Sequence, residues 1–280
     1  MKQFRLSGFA DEAGMTAEEQ IRVLKINGIH SMEIRNIDGK SIVALSEHEI
    51  KEVRKKLDDQ GISVSAIGSP VGKSPIEEDF SLCRATFDRA LKAAEILAAP
   101  YIRAFSFYIP KEGDPMQWAG EVVSRLSELV KAAEHQGVHY ALENESGIFT
   151  DIPGRCVYVF DRVPGLSLAF DPGNFIMNDA DTLEAWKMLK KHLAYFHIKD
   201  AARDQRHFVP AGEGEGHISE ILKDAFSGGF DGFLSIEPHL KYLENLNDAQ
   251  RFTTAANALK KILNNLFDAG LEMVDISTLG

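Results

Sequence analysis

Thiols, long apolar runs and surplus positive charge are all scarce in this chain, and each scarcity excludes something. Cysteine occurs only twice in 280 residues, as Cys83 and Cys156, too few for a small secreted module stapled by disulfides. No apolar run approaches the roughly 18–20 residues of a membrane span. Residues 1–14 hold an apolar stretch too short for a signal-peptide core, with acids following at once, so a cytoplasmic protein is the expectation. Lys and Arg number 31 against 42 Asp and Glu, a net charge of −11. That sign disfavours sequence-independent binding to phosphate backbones, so neither a nucleic-acid nor a membrane partner is expected. No Gly-x-Gly-x-x-Gly follows an early strand to mark a dinucleotide site. Linkers and low-complexity runs are missing as well, which argues for one domain.

What is present is a regular alternation. Short runs rich in Val, Ile, Phe, Tyr and Ser predict strands over 4–9, 31–35, 62–68, 101–107, 138–144, 166–171, 194–199 and 233–237. Amphipathic runs between them predict helices over 16–27, 46–60, 79–98, 115–136, 181–192 and 218–226, with a weaker one over 154–163. Thr16 with Glu19, and Ser46 with Glu49, have capping-box spacing. Gly28, Gly61 and Gly137 each stop a helix and are followed directly by Ile29, Ile62 and Val138. Eight strands joined by helices imply parallel pairing through right-handed crossovers. The expected fold is an α/β, (β/α)8 TIM barrel in a single domain over 1–280, closed by a helix over 252–267, with a tail at 268–280. An open doubly wound sheet is the runner-up.

In such a barrel the site is built at the carboxyl ends of the strands, so polar residues there carry the most information. Strand five ends with Glu143, Asn144 and Glu145, and strand six with Asp171 and Asn174. Strand seven ends with His197, Lys199 and Asp200, and strand eight with Glu237 and His239. A carboxylate, a carboxylate, an imidazole and a carboxylate thus fall on four successive strands, a donor set that suits a divalent ion. His197 and Lys199 are two apart and share a face. Each residue alone has an ordinary explanation: a surface charge, a core histidine, an Asp-Pro turn at Asp171. Their coincidence favours one shared cause. Glu33 and Arg35 share a face of strand two and point to substrate or to solvent together, while Arg103, if buried, needs a carboxylate partner.

With those residues the chain resembles the xylose isomerase-like superfamily of TIM barrels, also called the AP-endonuclease-2-like family, in its sugar isomerase and epimerase branch. The likeness runs over about residues 4–266. It is carried by Glu143, by Asp171 to Asn174 as Asp-x-x-Asn, by His197 to Asp200 as His-x-Lys-Asp, and by Glu237. The resemblance implies that Glu143, Asp171, His197 and Glu237 bind one divalent metal, manganese before magnesium, cobalt or zinc. It also implies that Glu143 and Glu237 are the paired acid and base of an enediolate mechanism. Asn174, Lys199, Arg203, Glu213 and His239 are the substrate-side residues it suggests, Arg203 by its place six after His197. The position often held by His in Asp-x-x-His is Asn174 here, which can donate a hydrogen bond but carry no proton. Relatives commonly form dimers or tetramers, so a homo-oligomer is an expectation of the resemblance alone.

The function implied is a metal-dependent isomerase or epimerase of a small sugar or polyol: a ketose, keto-sugar acid or cyclitol. Glu213 and Glu215 would repel a phosphate at the glycine-rich segment 212–216, favouring an unphosphorylated substrate over a sugar phosphate. A dehydratase of the inosose type is the alternative, because it shares the metal and the carbanion. An endonuclease-like activity is disfavoured by the shortage of further strand-end histidines, and a non-catalytic sugar-binding barrel by the retention of both Glu143 and Glu237.

Overall fold

The computed structural model describes residues 4–279, so residues 1–3 and 280 of the expected domain lie outside it. Eight parallel strands form the barrel: β1 (Arg5–Gly8), β2 (Ser31–Ile34), β3 (Ser63–Gly68), β4 (Tyr101–Ala104), β5 (His139–Glu143), β6 (Ser167–Phe170), β7 (Leu193–Ile198) and β8 (Phe233–Ile236). Each falls within, or one residue beyond, its predicted run. Parallel ladders join β2 to β8 in sequence order, and β8 then pairs with β1, Arg5 lying opposite Phe233. Among the described residues no ladder joins β1 to β2. Side chains reach past that seam: Ser7 on β1 meets Ser65 on β3 at 2.6 Å, both hydroxyls buried. The result is a nearly closed (β/α)8 barrel in a single domain, as the alternation predicts.

The helices are α1 (Ala17–Ile26), α2 (Glu47–Asp59), α3 (Phe80–Leu97), α4 (Ala119–His135), α5 (Pro153–Phe160), α6 (Pro172–Met177), α7 (Thr182–Leu189), α8 (Ile218–Ser227) and α9 (Asp248–Phe267). Both predicted capping boxes are present in full, with the hydroxyls of Thr16 and Ser46 accepting from the amides of Glu19 and Glu49 and their own amides donating to those carboxylates in return. The start of α9 is earlier than the apolar pattern suggests, because Asn247 and Gln250 form a third capping box. Among the described residues, no helix is long and apolar enough to cross a membrane.

The main core lies between the barrel wall and the helix ring, where Leu24, Phe87, Leu126, Leu168, Phe196 and Phe252 are fully buried or nearly so. At the amino ends of the strands the barrel is plugged by Tyr101 and Tyr195, whose ring centres are 5.3 Å apart. The tail folds back along α9. Asn257 and Asn264 each bond both ways with tail backbone, at Val274 and Leu271, and Gln250 reaches the carbonyl of Ile276. Two small antiparallel pairs escaped sequence reasoning, Asn36–Ile37 with Lys40–Ser41 and Asp200–Ala202 with His207–Val209. Strands of two or three residues leave too short a pattern to read.

Candidate metal centre

The carboxyl ends of β5 to β8 converge. Glu143 is the last residue of β5 and His197 lies within β7, while Asp171 and Glu237 stand one residue beyond β6 and β8. One donor atom from each lies within 4.8 Å of the others, and all four residues are buried. The sequence set is therefore assembled by the fold at one point.

Asp171 does double duty, because its other oxygen caps the short helix α6 by accepting from the Asn174 amide at 2.9 Å. Asn174 donates its side-chain amide to Glu143 at 3.1 Å and to the carbonyl of Asn144 at 2.9 Å. It thereby holds a carboxylate in place. Lys199 lies 2.7 Å from Asp171 and donates to Glu237 at 2.8 Å. Gly173 makes this approach feasible: a Cβ there would fall 3.0 Å from both the side chain and the carbonyl of Lys199. Arg103 is buried, and its Nε lies 3.2 Å from Glu143, the carboxylate partner the sequence calls for.

Electrostatics differ sharply among the four. Burial alone would raise the carboxyl of Glu143, but His197 and Arg103 outweigh it and hold it at about 2. Glu237 is likewise driven well below the usual carboxylate range, since Lys199, His239 and His197 overcome its burial. Asp171 goes the other way, to about 7: burial and the neighbouring Glu143 and Glu237 outweigh Lys199. His197 is buried too, yet Glu143 and Glu33 hold its imidazolium well above the ordinary range. A site so rich in negative charge favours cations.

The fit of these residues to a divalent ion rests on atoms left over by the hydrogen-bond network. His197 Nδ1 and Asp171 Oδ2 are buried and make no hydrogen bond. Nδ1 stands 3.2 Å from Glu143, 3.6 Å from Glu237 and 3.9 Å from Asp171, close enough to share an ion and misaligned for bonding to each other. The ion pair of Asp171 with Lys199 is similarly short but outside hydrogen-bond geometry. Three carboxylates and one imidazole, with no thiolate, form a set suited to Mn²⁺, Mg²⁺, Co²⁺ or Zn²⁺. The residues fit the ion.

Beside the donors is a cavity of about 230 Å³ lined by Arg35, Lys73, Phe105, Glu143, Glu237 and His239, among others. His239 donates from Nε2 to Glu237 over 2.9 Å, and it adopts a left-handed backbone with φ 48°. Two predicted substrate residues are not brought to the donors. Arg203 turns to Glu215 at 3.1 Å and to the carbonyl of Ala180, because the antiparallel pair beginning at Asp200 carries it outward. Glu213 is exposed, and no hydrogen bond or ion pair links it to the four donors among the described residues. The glycine-rich segment is engaged elsewhere: the amides of Gly212, Gly214 and Gly216 all donate to the buried carboxylate of Asp200.

Some neighbours went unrecognised in the sequence. Glu12, just after β1, accepts from the amide of His239 at 2.8 Å and pairs with Arg35 at 3.2 Å. Arg35 in turn binds Asp11 and Glu237. The signal was available, since Asp11 and Glu12 follow a strand end as the four donors do. Glu145 lies past the end of β5 and pairs with Lys73 at 2.7 Å.

The model of the xylose isomerase-like TIM barrel family matches residues 21–274. The chain belongs to this family. No curated protein sequence matches it. Among solved structures, the family member is similar to the IolI protein with a bound zinc atom, at TM-score 0.78 and 17% identity over 94% of this chain and 99% of that one. It is also similar to a D-tagatose 3-epimerase-like protein, at TM-score 0.76 and 18% identity over 95% and 99%. A third likeness is to the probable 3-DHS dehydratase AsbF of Bacillus anthracis, involved in petrobactin synthesis, at TM-score 0.75 and 16% identity over 92% and 99%. At these identities the likeness is one of fold.

Proposed function

We propose that this xylose isomerase-like barrel is a divalent-metal-dependent isomerase or epimerase of a small ketose, keto-sugar acid or cyclitol. Glu143, Asp171, His197 and Glu237 would hold the ion, manganese being the first choice. The observation that carries the reading is the convergence of these four buried donors to within 4.8 Å, with His197 Nδ1 and Asp171 Oδ2 lacking any hydrogen bond. When bound, the ion would act as a Lewis acid toward oxygens of the substrate, favouring the charge that develops on loss of a carbon-bound proton.

The remaining chemistry belongs to the side chains. Glu143 and Glu237 come from strands on either side of β6 and β7, and both are strongly acidic carboxyls, ionised at neutral pH. One would take the proton from carbon, giving an enediolate, and later release it to solvent, while the other would deliver to carbon a proton it has itself taken up from solvent. Asn174 fixes Glu143, and Lys199 with His239 fixes Glu237, so neither base must reorganise during transfer. Lys199, Asn174 and His239 are the polar groups we assign to the substrate side, and Arg35 joins them from the cavity wall. An unphosphorylated substrate agrees with the occupation of the glycine amides by Asp200, which leaves none of those three for a phosphate.

The test is incubation of candidate ketoses in D₂O with Mn²⁺. Deuterium should appear at the carbon next to the carbonyl, and Glu143→Gln or Glu237→Gln should lose about 10²–10⁴-fold in rate, the usual range for a positioned acid or base. Unchanged turnover in the double variant would place the chemistry elsewhere. The fold likeness to a dehydratase gives the second reading, and product mass separates the two: isomerisation preserves it, whereas dehydration removes one water.

A further inference from the structure

Beneath the four donors lies a fifth carboxylate, Glu33 on β2, whose side chain is completely buried. Its Oε1 accepts from Tyr195 at 2.9 Å and stands 3.2 Å from His197 Nε2. Its Oε2 accepts from Ser235 at 2.6 Å, and the Arg103 guanidinium is 3.9 Å away. Every neighbour at hydrogen-bond distance is thus a group that can donate. A carboxylate oxygen only accepts, so its bond with Nε2 requires the hydrogen to sit on Nε2. A divalent ion would then take the place of any proton on the other nitrogen, Nδ1, whose lone pair this choice leaves facing the carboxylates.

Nδ1 is the atom that faces Glu143, Asp171 and Glu237 and lacks a hydrogen bond. The ring plane is fixed independently, because Phe9 and Tyr195 meet the imidazole edge-on, at 5.1 Å and 5.4 Å between ring centres. We propose that Glu33 is a positioning residue for metal binding: it selects the His197 tautomer and ring orientation that present Nδ1 to a divalent ion. Tyr195 and Ser235 hold Glu33 for this task. The inference rests on the metal reading above and extends it one layer down the barrel. Partners of this kind typically govern metal affinity by 10–100-fold.

The experiment is calorimetric titration of Mn²⁺ into the apo wild type, Glu33→Ala and Glu33→Gln, with circular dichroism to verify folding. Glu33→Ala should bind Mn²⁺ 10–100-fold more weakly. Glu33→Gln, which keeps an acceptor oxygen, should fall between it and the wild type. A folded Glu33→Ala with wild-type affinity overturns the positioning role and leaves the proposed function standing. Should Glu33→Ala fail to fold, nitrogen NMR of ¹⁵N-histidine-labelled, Zn²⁺-loaded wild type decides. A hydrogen on Nε2 of His197 supports the assignment, and a hydrogen on Nδ1 overturns it. A wild type that takes up neither ion overturns both this inference and the metal reading beneath it.

Discussion

Lys199 lies against two of the four donors, so in the metal-free protein an ammonium group supplies the positive charge that three carboxylates demand. Replacing it by Met leaves Asp171 and Glu237 buried without that partner. We expect Lys199→Met to lose about 3–5 kcal/mol in the apo state, the usual cost of breaking a buried pair. Urea unfolding should show the deficit, and saturating Mn²⁺ should shrink it; a deficit indifferent to the ion would mean that lysine and metal do not compensate the same charges. At this scale the donors were readable because strand parity and strand ends locate inward acids from sequence alone. Glu33 was half readable. Its face was assigned jointly with Arg35, but a register irregularity at Met32/Glu33 and the burial beneath His197 are tertiary facts. The position of Arg203 was not readable for the opposite reason: spacing from His197 cannot reveal a hairpin that turns the chain outward.

Asp200 dominates at the scale of elements. One carboxylate collects the amides of Ala201, Gly212, Gly214 and Gly216, and so ties the loop that joins β7 to α8 to the end of its strand. Charge-assisted bonds of this kind contribute about 1.5–3 kcal/mol each, so Asp200→Ala should destabilise by at least about 3 kcal/mol. Limited proteolysis should then cut first within 203–216; an unchanged cleavage map would show that the loop is held by other means. The helix ends give a prediction of their own. Lys40 and the Ser46 cap lower the Glu49 carboxyl to about 2 from an ordinary 4.5. Its contribution is therefore complete above about 4.5 and is lost as pH falls towards 2. The excess melting temperature of wild type over Glu49→Gln should narrow across that window, and a gap independent of pH would refute the linkage. These boxes were legible because Thr16, Ser46, Glu19 and Glu49 have a fixed spacing. The box at Asn247 was not, since its helix opens with a polar turn before the apolar stripe begins.

For the molecule as a whole, the reading predicts that a bound divalent ion stabilises the native state alone. At an ion concentration one hundred times its dissociation constant the gain is about 2.7 kcal/mol, several degrees in melting temperature. Chelation by EDTA should remove it, and a melting curve blind to both Mn²⁺ and EDTA would count against the site. The barrel itself was legible because eight strand patterns alternate with helices and three glycine-stopped helices repeat the same joint. What sequence could not convey is how the ring closes. The first strand has no ladder to the second, and the backbone partner of Arg5 is Phe233. On a ribosome, residues 5–8 therefore wait for most of the chain to be made before the strand that forms a backbone ladder with them exists. Pulsed hydrogen exchange during refolding should find the amides of Leu6 and Ser7 protected later than those of β3 to β5. The segment synthesised first is secured last, and Glu12, which follows it, reaches His239 only when both ends of the chain have met.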